Sequence, residues 1–403
     1  MRIAFVLNDL RLSGGVNVVL QYASRMASCG EYEVSLLLRN SSSQSWSNEF
    51  TQNIKVVPRE SWPLAEFDVA IATYWETILL LGQVKASSYI WFCQLYEDRF
   101  FPDRNPNISS MQIAGAIPLP VITEAHWLKD LISSENPDRA VEVVLNGIDK
   151  ATFKKSPRDQ RPEKGFHVLV EGSLDAIAKN TEMAIVGSLS SHEATLVTHV
   201  GNRPFLTKDP RYRYVESQLS FDHMSAMYSR HHLLVKTPRA EGMFGPPLEA
   251  FHCGTPALVT SVTGAEEYIQ DGVNSIQVSW SDTLEIGRWI DELSRNRPLW
   301  KRLSKGALAT AKTWPDWDTQ THKFEKAIDK VRPTSKLTQA DLGNLARTIQ
   351  FSDLMHWLAM RRLSDKHAGP AAMEKIMATH PPRGQSVFLA RITSFLRHLR
   401  IMK

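Results

Sequence analysis

The run RIAFVL at residues 2–7 has no polar face beyond its opening Arg2. A strand of that kind must be covered on both sides, which is the situation of a parallel strand between layers of helices. The loop NDLRLSGG follows. Then VNVVLQYASRMAS places Val16, Val19, Leu20, Ala23 and Ala27 on one helical face. Gly30 suits the helix end, and YEVSLLL (32–38) reads as the next strand. This β-loop-α-β order is the unit of a doubly wound α/β sheet.

The same pattern recurs along the chain. Strands are expected at FDVAIAT (67–73), SYIWFCQL (88–95), AIPLPVIT (116–123) and VEVVLNG (141–147), with a helix at EAHWLKDLI between the last two. A polar, proline-bearing stretch, KKSPRDQRPEKG (154–165), reads as a linker. Beyond it the pattern restarts with FHVLVEG (166–172), ATLVTHVG (194–201), HHLLVKT (231–237), TPALVTS (255–261) and NSIQVS (274–279). Two Rossmann-like α/β domains in series are predicted, 1–155 and 156–315. A crossover helix at 316–331 and a helical, basic C-terminal extension at 332–403 follow. In that extension Phe388, Ile392, Phe395, Leu396 and Leu399 form one apolar face flanked by Arg391, Arg397, His398, Arg400 and Lys403. The segment 386–403 is expected either to rest on an anionic membrane or to pack on the protein.

A chain of 403 residues that is 43% hydrophobic can build large cores without disulfides. Cys29, Cys93 and Cys253 show no metal-ligand spacing. Each lies among apolar residues, so three buried free thiols are expected, as suits a reducing cytoplasm. A net charge of +4 without a dense Lys/Arg stripe argues against nucleic acid as a partner. No apolar run approaches the ~18 residues of a membrane span, and the apolar start is too short for a secretory signal.

Paired open sheets bind ligands where loops leave the carboxyl ends of their strands. Two such loops stand out. Ser13-Gly14-Gly15 precedes the first helix, whose N-terminus favours an anion. The dinucleotide pattern G-x-G-x-x-G is absent, which argues against a nicotinamide enzyme. The second loop lies in HLLVKTPRAEGMFGPPLEAFHCGTPALVT (232–260), which reads strand, loop, helix, strand. Glu241 opens the loop, Glu249 lies in the helix, and seven residues separate them. Backbone N–H groups from Met243 to Gly245 can take phosphate or sugar oxygens. Two carboxylates at that separation can grip opposite ends of one elongated ligand.

The segment EGMFGPPLEAFHCGTPALVT resembles the E-x7-E signature of retaining glycosyltransferases of family 4. The resemblance extends in order along residues 1 to about 331. SGGVNVVLQYASRMASCGEYEVSLLL is similar to the family's opening glycine loop and first helix, VVLNGIDKATF (143–153) to its interdomain segment, GAEEYIQDGVNSIQV (264–278) to its G-x-x-E-x-I-x-D-G-x-N-G run, and TWPDWDTQTHKF to its last helix. ATYWETILLL and WFCQLYEDRFFP resemble the rhamnosyltransferase-type branch of surface polysaccharide synthesis.

The resemblance implies a GT-B fold, two Rossmann-like domains facing across a cleft, with no metal and no cofactor. It implies a nucleoside diphosphate sugar as donor and a saccharide or lipid-linked saccharide as acceptor. Glu249 would hold the ribose hydroxyls and Glu241 would sit by the donor sugar. Met243, Phe244 and Gly245 would offer amides, and Gly14 and Gly15 would approach the diphosphate from the other domain. Lys179, in GSLDAIAKN, matches the family's phosphate-binding Lys and would stabilise the leaving diphosphate. Two positions depart from the pattern. Ser173 stands where the family carries Arg, with Lys236, Arg239 or Arg203 as replacements. Gln94 stands where many members carry His, and His126 follows nearby as a second candidate on the acceptor side. These departures keep open a non-catalytic relative that binds nucleotide sugar or glycan within a synthesis complex.

Overall fold

The computed structural model describes residues 1–40, 47–96, 108–156, 160–217 and 219–350. The first half is built from β1 (Arg2–Leu7), α1 (Gly14–Ser28), β2 (Glu33–Leu38), α2 (Asn48–Thr51), β3 (Lys55–Val57), β4 (Glu66–Ala72), α3 (Trp75–Ile78), β5 (Lys85–Cys93), α4 (Ile108–Ala116), β6 (Val121–Thr123), α5 (His126–Glu135) and β7 (Val141–Val143). Its seven strands form one sheet in the order β3-β2-β1-β4-β5-β6-β7, and every pairing is parallel.

The second half comprises β8 (Phe166–Glu171), α6 (Thr181–Leu189), β9 (Ala194–Gly201), β10 (Tyr212–Glu216), α7 (Phe221–Arg230), β11 (Leu233–Lys236), α8 (Gly245–His252), β12 (Ala257–Thr260), β13 (Ser275–Val278), α9 (Thr283–Arg295) and α10 (Arg297–Thr313). Its six strands run β10-β9-β8-β11-β12-β13, again all parallel. In both sheets the order reverses beside the first strand. Loops therefore splay apart at the carboxyl ends of β1 and β4, and of β8 and β11, which opens a ligand crevice there.

Each apolar run named from the sequence contains a strand: β1 and β9 keep the predicted ends, β4 and β5 begin one and three residues earlier, and the others lose one to five residues at an end. β6 keeps only Val121–Thr123 of its run, because α4 takes Ala116, and Pro118 and Pro120, which have no N–H for a ladder, precede the strand. Helix α1 buries Val18, Val19, Leu20, Tyr22, Ala23 and Met26. Its buried stripe is thus rotated from the expected one: Val16 and Ala27 lie at its margin. Tyr22 and Met26 reach deeper because the helix is pressed between the first sheet and α11 (Trp317–Val331). The cysteine reading is corrected at one position. Cys93 and Cys253 are buried, but Cys29 is exposed at the C-cap of α1, where the chain turns away from the core.

Helix α11 follows the second half in sequence and packs on the first. Trp317, Phe324, Ala327, Ile328 and Val331 join the core formed by β1, β2 and α1. Phe324 stacks on Tyr22 at 4.4 Å between ring centroids and meets Phe92 edge-on at 5.1 Å. The part of the extension containing 386–403 lies outside the described residues. Among the described residues no helix is long and apolar enough to cross a membrane.

Candidate functional site

The E-x7-E segment starts in the loop where β11 ends. Glu241 and Met243 lie in the loop between β11 and α8, and Glu249 lies on α8 itself. Lys179 comes from the turn after β8 and points at Glu241: its Nζ is 2.9 Å from Oε1 and 2.8 Å from Oε2. The pair is asymmetric in exposure. The Glu241 side chain is 8% exposed and that of Lys179 is 29%, so the ammonium is the more open member. Asn180 sets the direction of Lys179. It takes a left-handed conformation (φ 51°), caps α6, and donates from Nδ2 to the Trp280 carbonyl at 3.0 Å. Asn tolerates this conformation better than most side chains.

A second ion pair lies beneath the first. Lys236, at the end of β11, bonds the carboxylate of Glu171, at the end of β8, and donates to the Glu171 carbonyl at 3.2 Å. Burial pushes the Glu171 carboxyl up, but the adjoining Lys236 ammonium outweighs it and holds the group below the usual carboxylate range. The same attraction overcomes burial at Lys236 and keeps its ammonium charged. Two of the three replacements considered for an Arg at position 173 therefore have acidic partners, Lys236 with Glu171 and Arg203 with Asp175 at 2.7 Å. Arg239 is exposed. Its guanidinium lies 4.5 Å over the Trp280 ring, and its N–H donates to Ala178 at 2.7 Å, one residue before Lys179.

Glu249 stands apart from the Lys179–Glu241 pair. Tyr228, on α7, donates its hydroxyl to Glu249 Oε2 at 2.9 Å. Burial raises the Glu249 carboxyl to about 7, against the opposing pull of the Tyr228 bond.

The first half meets this loop closely. Gly242 packs on the Gln94 backbone: a Cβ added at Gly242 would lie 1.8 Å from the Gln94 carbonyl oxygen. Trp127, on α5, donates its indole N–H to the Gly242 carbonyl at 2.8 Å. Glu124, between β6 and α5, accepts the Met243 N–H at 2.9 Å and the Asn146 side-chain amide at 2.9 Å. The Glu124 carboxyl is buried, which with the nearby Glu241 charge raises it to about 8 despite those two bonds. His126 is the first residue of α5, and it approaches Glu267 through its N–H at 2.6 Å and its Nδ1 at 2.8 Å.

Lys179 and Glu241 are joined directly. Gly14 and Gly15 are exposed at the start of α1, and Gly15 faces the Gln94 side-chain amide, whose Oε1 is 3.3 Å from the position of an added Cβ. That Oε1 is buried without a hydrogen-bond partner. Phe244 is buried as the N-cap of α8 and Gly245 opens the helix. Met243 has its N–H engaged by Glu124 in this arrangement. Glu124, Trp127, Tyr228 and Glu267 escaped the sequence reading as site residues, and Lys236 entered it only as a replacement for the missing Arg. Glu124 and Lys236 carried one usable signal, since each stands at the carboxyl end of a predicted parallel strand. Among the described residues no cluster of His, Cys, Asp and Glu is placed to hold a metal ion.

Known proteins bear on this arrangement. Residues 157–296 match the family described as "Glycosyl transferases group 1", and no curated protein matches the chain. Solved structures share the fold at low identity. Alr3699/HepE from Anabaena, crystallised with UDP and glucose, is similar with a TM-score of 0.68 and 16% identity, over 82% of this chain and 100% of that one. WaaG, a glycosyltransferase of lipopolysaccharide biosynthesis, is similar with a TM-score of 0.61 and 15% identity, over 82% and 99%. Sucrose-phosphate synthase from Thermosynechococcus elongatus is similar with a TM-score of 0.66 and 12% identity, over 83% and 100%. Residues 157–296 thus match the group 1 glycosyltransferase model, and the two parallel Rossmann-like sheets share the GT-B fold of these solved structures.

Proposed function

We propose that the chain is a retaining glycosyltransferase that moves a sugar from a nucleoside diphosphate sugar to a saccharide or lipid-linked saccharide acceptor. The observation that carries this reading is the Lys179–Glu241 pair at the carboxyl end of the second sheet, with Glu249 on the helix that follows. Glu249 takes the ribose hydroxyls, with Tyr228 fixing its carboxyl. Lys179 takes the diphosphate charge and Arg239 supplies the guanidinium beside it. Glu241, freed from part of its contact with Lys179, faces the donor sugar. The glycine loop at Gly14 and Gly15 and the Gln94 amide close the site from the other half.

Chemistry of this kind asks for position and charge stabilisation rather than a protein nucleophile. The bond from the anomeric carbon to the phosphate oxygen breaks, and the acceptor oxygen bonds to the same face. The acceptor's proton passes to the departing phosphate oxygen. A donor with a uridine base, as in Alr3699/HepE, and a donor carrying rhamnose on deoxythymidine diphosphate are the first two to try. A role in lipopolysaccharide or surface polysaccharide assembly accords with the likeness to WaaG, as does action at the inner face of the membrane.

Thermal unfolding against a panel of nucleoside diphosphates and their sugars, without metal, tests the reading. A ligand at 100 times its Kd adds about 2.7 kcal/mol to stability. A selective shift is expected, abolished in Glu249→Ala. Glu241→Ala should retain the nucleotide shift and lose transfer. A parent protein that no nucleotide stabilises contradicts the reading, and one that binds without turnover on any acceptor is the non-catalytic relative.

A further inference from the structure

Glu124 is a carboxyl that reaches from the first half to the donor loop, and the nucleotide-sugar reading assigns it nothing. It sits between β6 and α5, is 5% exposed, and holds two partners from different parts of the chain. One is the Asn146 side chain, after β7, and the other is the N–H of Met243, two residues beyond Glu241. Room for this contact exists because residue 242 is glycine: a Cβ there would come within 2.8 Å of Glu124 Oε1. Trp127 secures the same peptide from the carbonyl side. The loop that carries Glu241 is thereby bonded on both sides by residues of the opposite half.

We propose that Glu124 is a positioning residue for sugar transfer, fixing the donor loop through the Met243 amide so that Glu241 and Lys179 present their charges to the cleft. The inference rests on the donor site proposed above. The groups that face Glu124 are Glu241 and Lys179 from the second half, the Tyr22 phenol from α1, and the Asn146 amide. Burial favours the uncharged carboxyl, and the Glu241 charge adds to it against the pull of the two hydrogen bonds and of Lys179, so the group is raised to about 8. A neutral carboxyl still accepts from Met243 and Asn146, and it adds no negative charge beside an anionic donor. Ionisation above that value places a second carboxylate against Glu241 and works against donor binding.

Hydrogen exchange resolved at the Met243 amide, together with calorimetric titration of UDP-glucose and the same nucleotide-sugar panel, separates the possibilities. Glu124→Ala should speed exchange at Met243 and weaken donor binding about tenfold, the loss of a single well-placed hydrogen bond. Glu124→Gln, which keeps an acceptor for Met243, should preserve both at neutral pH. It should also hold its affinity at pH 9, where the parent weakens. A Met243 amide that exchanges equally in the parent and Glu124→Ala overturns the proposal, as does an identical pH dependence in the parent and Glu124→Gln. If Met243 protection depends on Glu124 but no nucleotide sugar binds the parent, the contact stands and the donor-site reading fails, which overturns the assigned role in transfer.

Discussion

Glu249 and Glu124 hold their protons well above the ordinary carboxylate range, at about 7 and about 8, chiefly because both are buried. Their expected effects on nucleotide affinity oppose each other. A ribose contact at Glu249 strengthens as the carboxyl ionises, because a charged acceptor forms stronger bonds with hydroxyls. Ionisation of Glu124 instead adds a negative charge near the donor. Affinity for a nucleoside diphosphate sugar should therefore rise with pH through about 7 and fall above about 8. Titrations from pH 5.5 to 9.5 should show that maximum. Glu249→Gln should lose the rising limb and Glu124→Gln the falling one. A parent profile that is flat across this range contradicts both assignments. Folding stability carries the same signature. A carboxyl whose proton is held more tightly in the folded chain stabilises it fully only below the unfolded value, ~4.3. That contribution is lost as pH rises towards about 8 and is constant beyond. Denaturant titrations at pH 5.5 and 8.5 should show the parent losing more stability between them than Glu124→Gln does.

At the scale of elements, the donor loop works as a unit because its glycine allows two backbones to touch. Gly242→Ala would drive a methyl into the Gln94 carbonyl, and a backbone oxygen cannot move aside as a flexible side-chain end does. The loop and the Gln94 segment would have to part. Donor affinity should fall at least tenfold while the melting temperature changes modestly, since neither sheet core contains the contact. Unchanged affinity in that variant would mean that the loop works without the contact. The E-x7-E spacing and most of the parallel strands were legible in the sequence because each lies in a continuous stretch, whereas Lys179 was picked out by its resemblance to a family motif. The partners of that loop were not. Glu124 meets Met243 across 119 positions, and no local periodicity encodes such a meeting. Two strands also escaped. β3 has three residues, and β10, YRYVE, is an edge strand with no fully buried residue, so it offers neither an apolar run nor a clean alternation.

At the scale of the whole molecule, the chain finishes its second sheet and then returns to the first. Trp314 marks the passage: its indole N–H donates to the Asn146 carbonyl at 2.9 Å, and Asp316 bridges to Ile148. Helix α11 then inserts Phe324 among Phe5, Tyr22 and Phe92. The sequence predicts a crossover helix at 316–331, but no local periodicity names the core that receives it, because either core could bury its apolar face. The outcome has an energetic consequence. Phe324→Ala removes a fully buried ring from a core that contains no residue of the second sheet, at a cost of about 3–5 kcal/mol. Hydrogen exchange should show the loss falling on β1, β4 and α1, while β8 and β11 keep their protection. Nucleotide affinity should fall less than stability, because Glu249 and Lys179 belong to the unaffected half. The cleft contacts of Glu124 and Trp127 would nevertheless become intermittent as the first half loosens. Equal loss of protection in both sheets would mean that the halves fold as one cooperative unit, with the contacts between them as strong a link as either core.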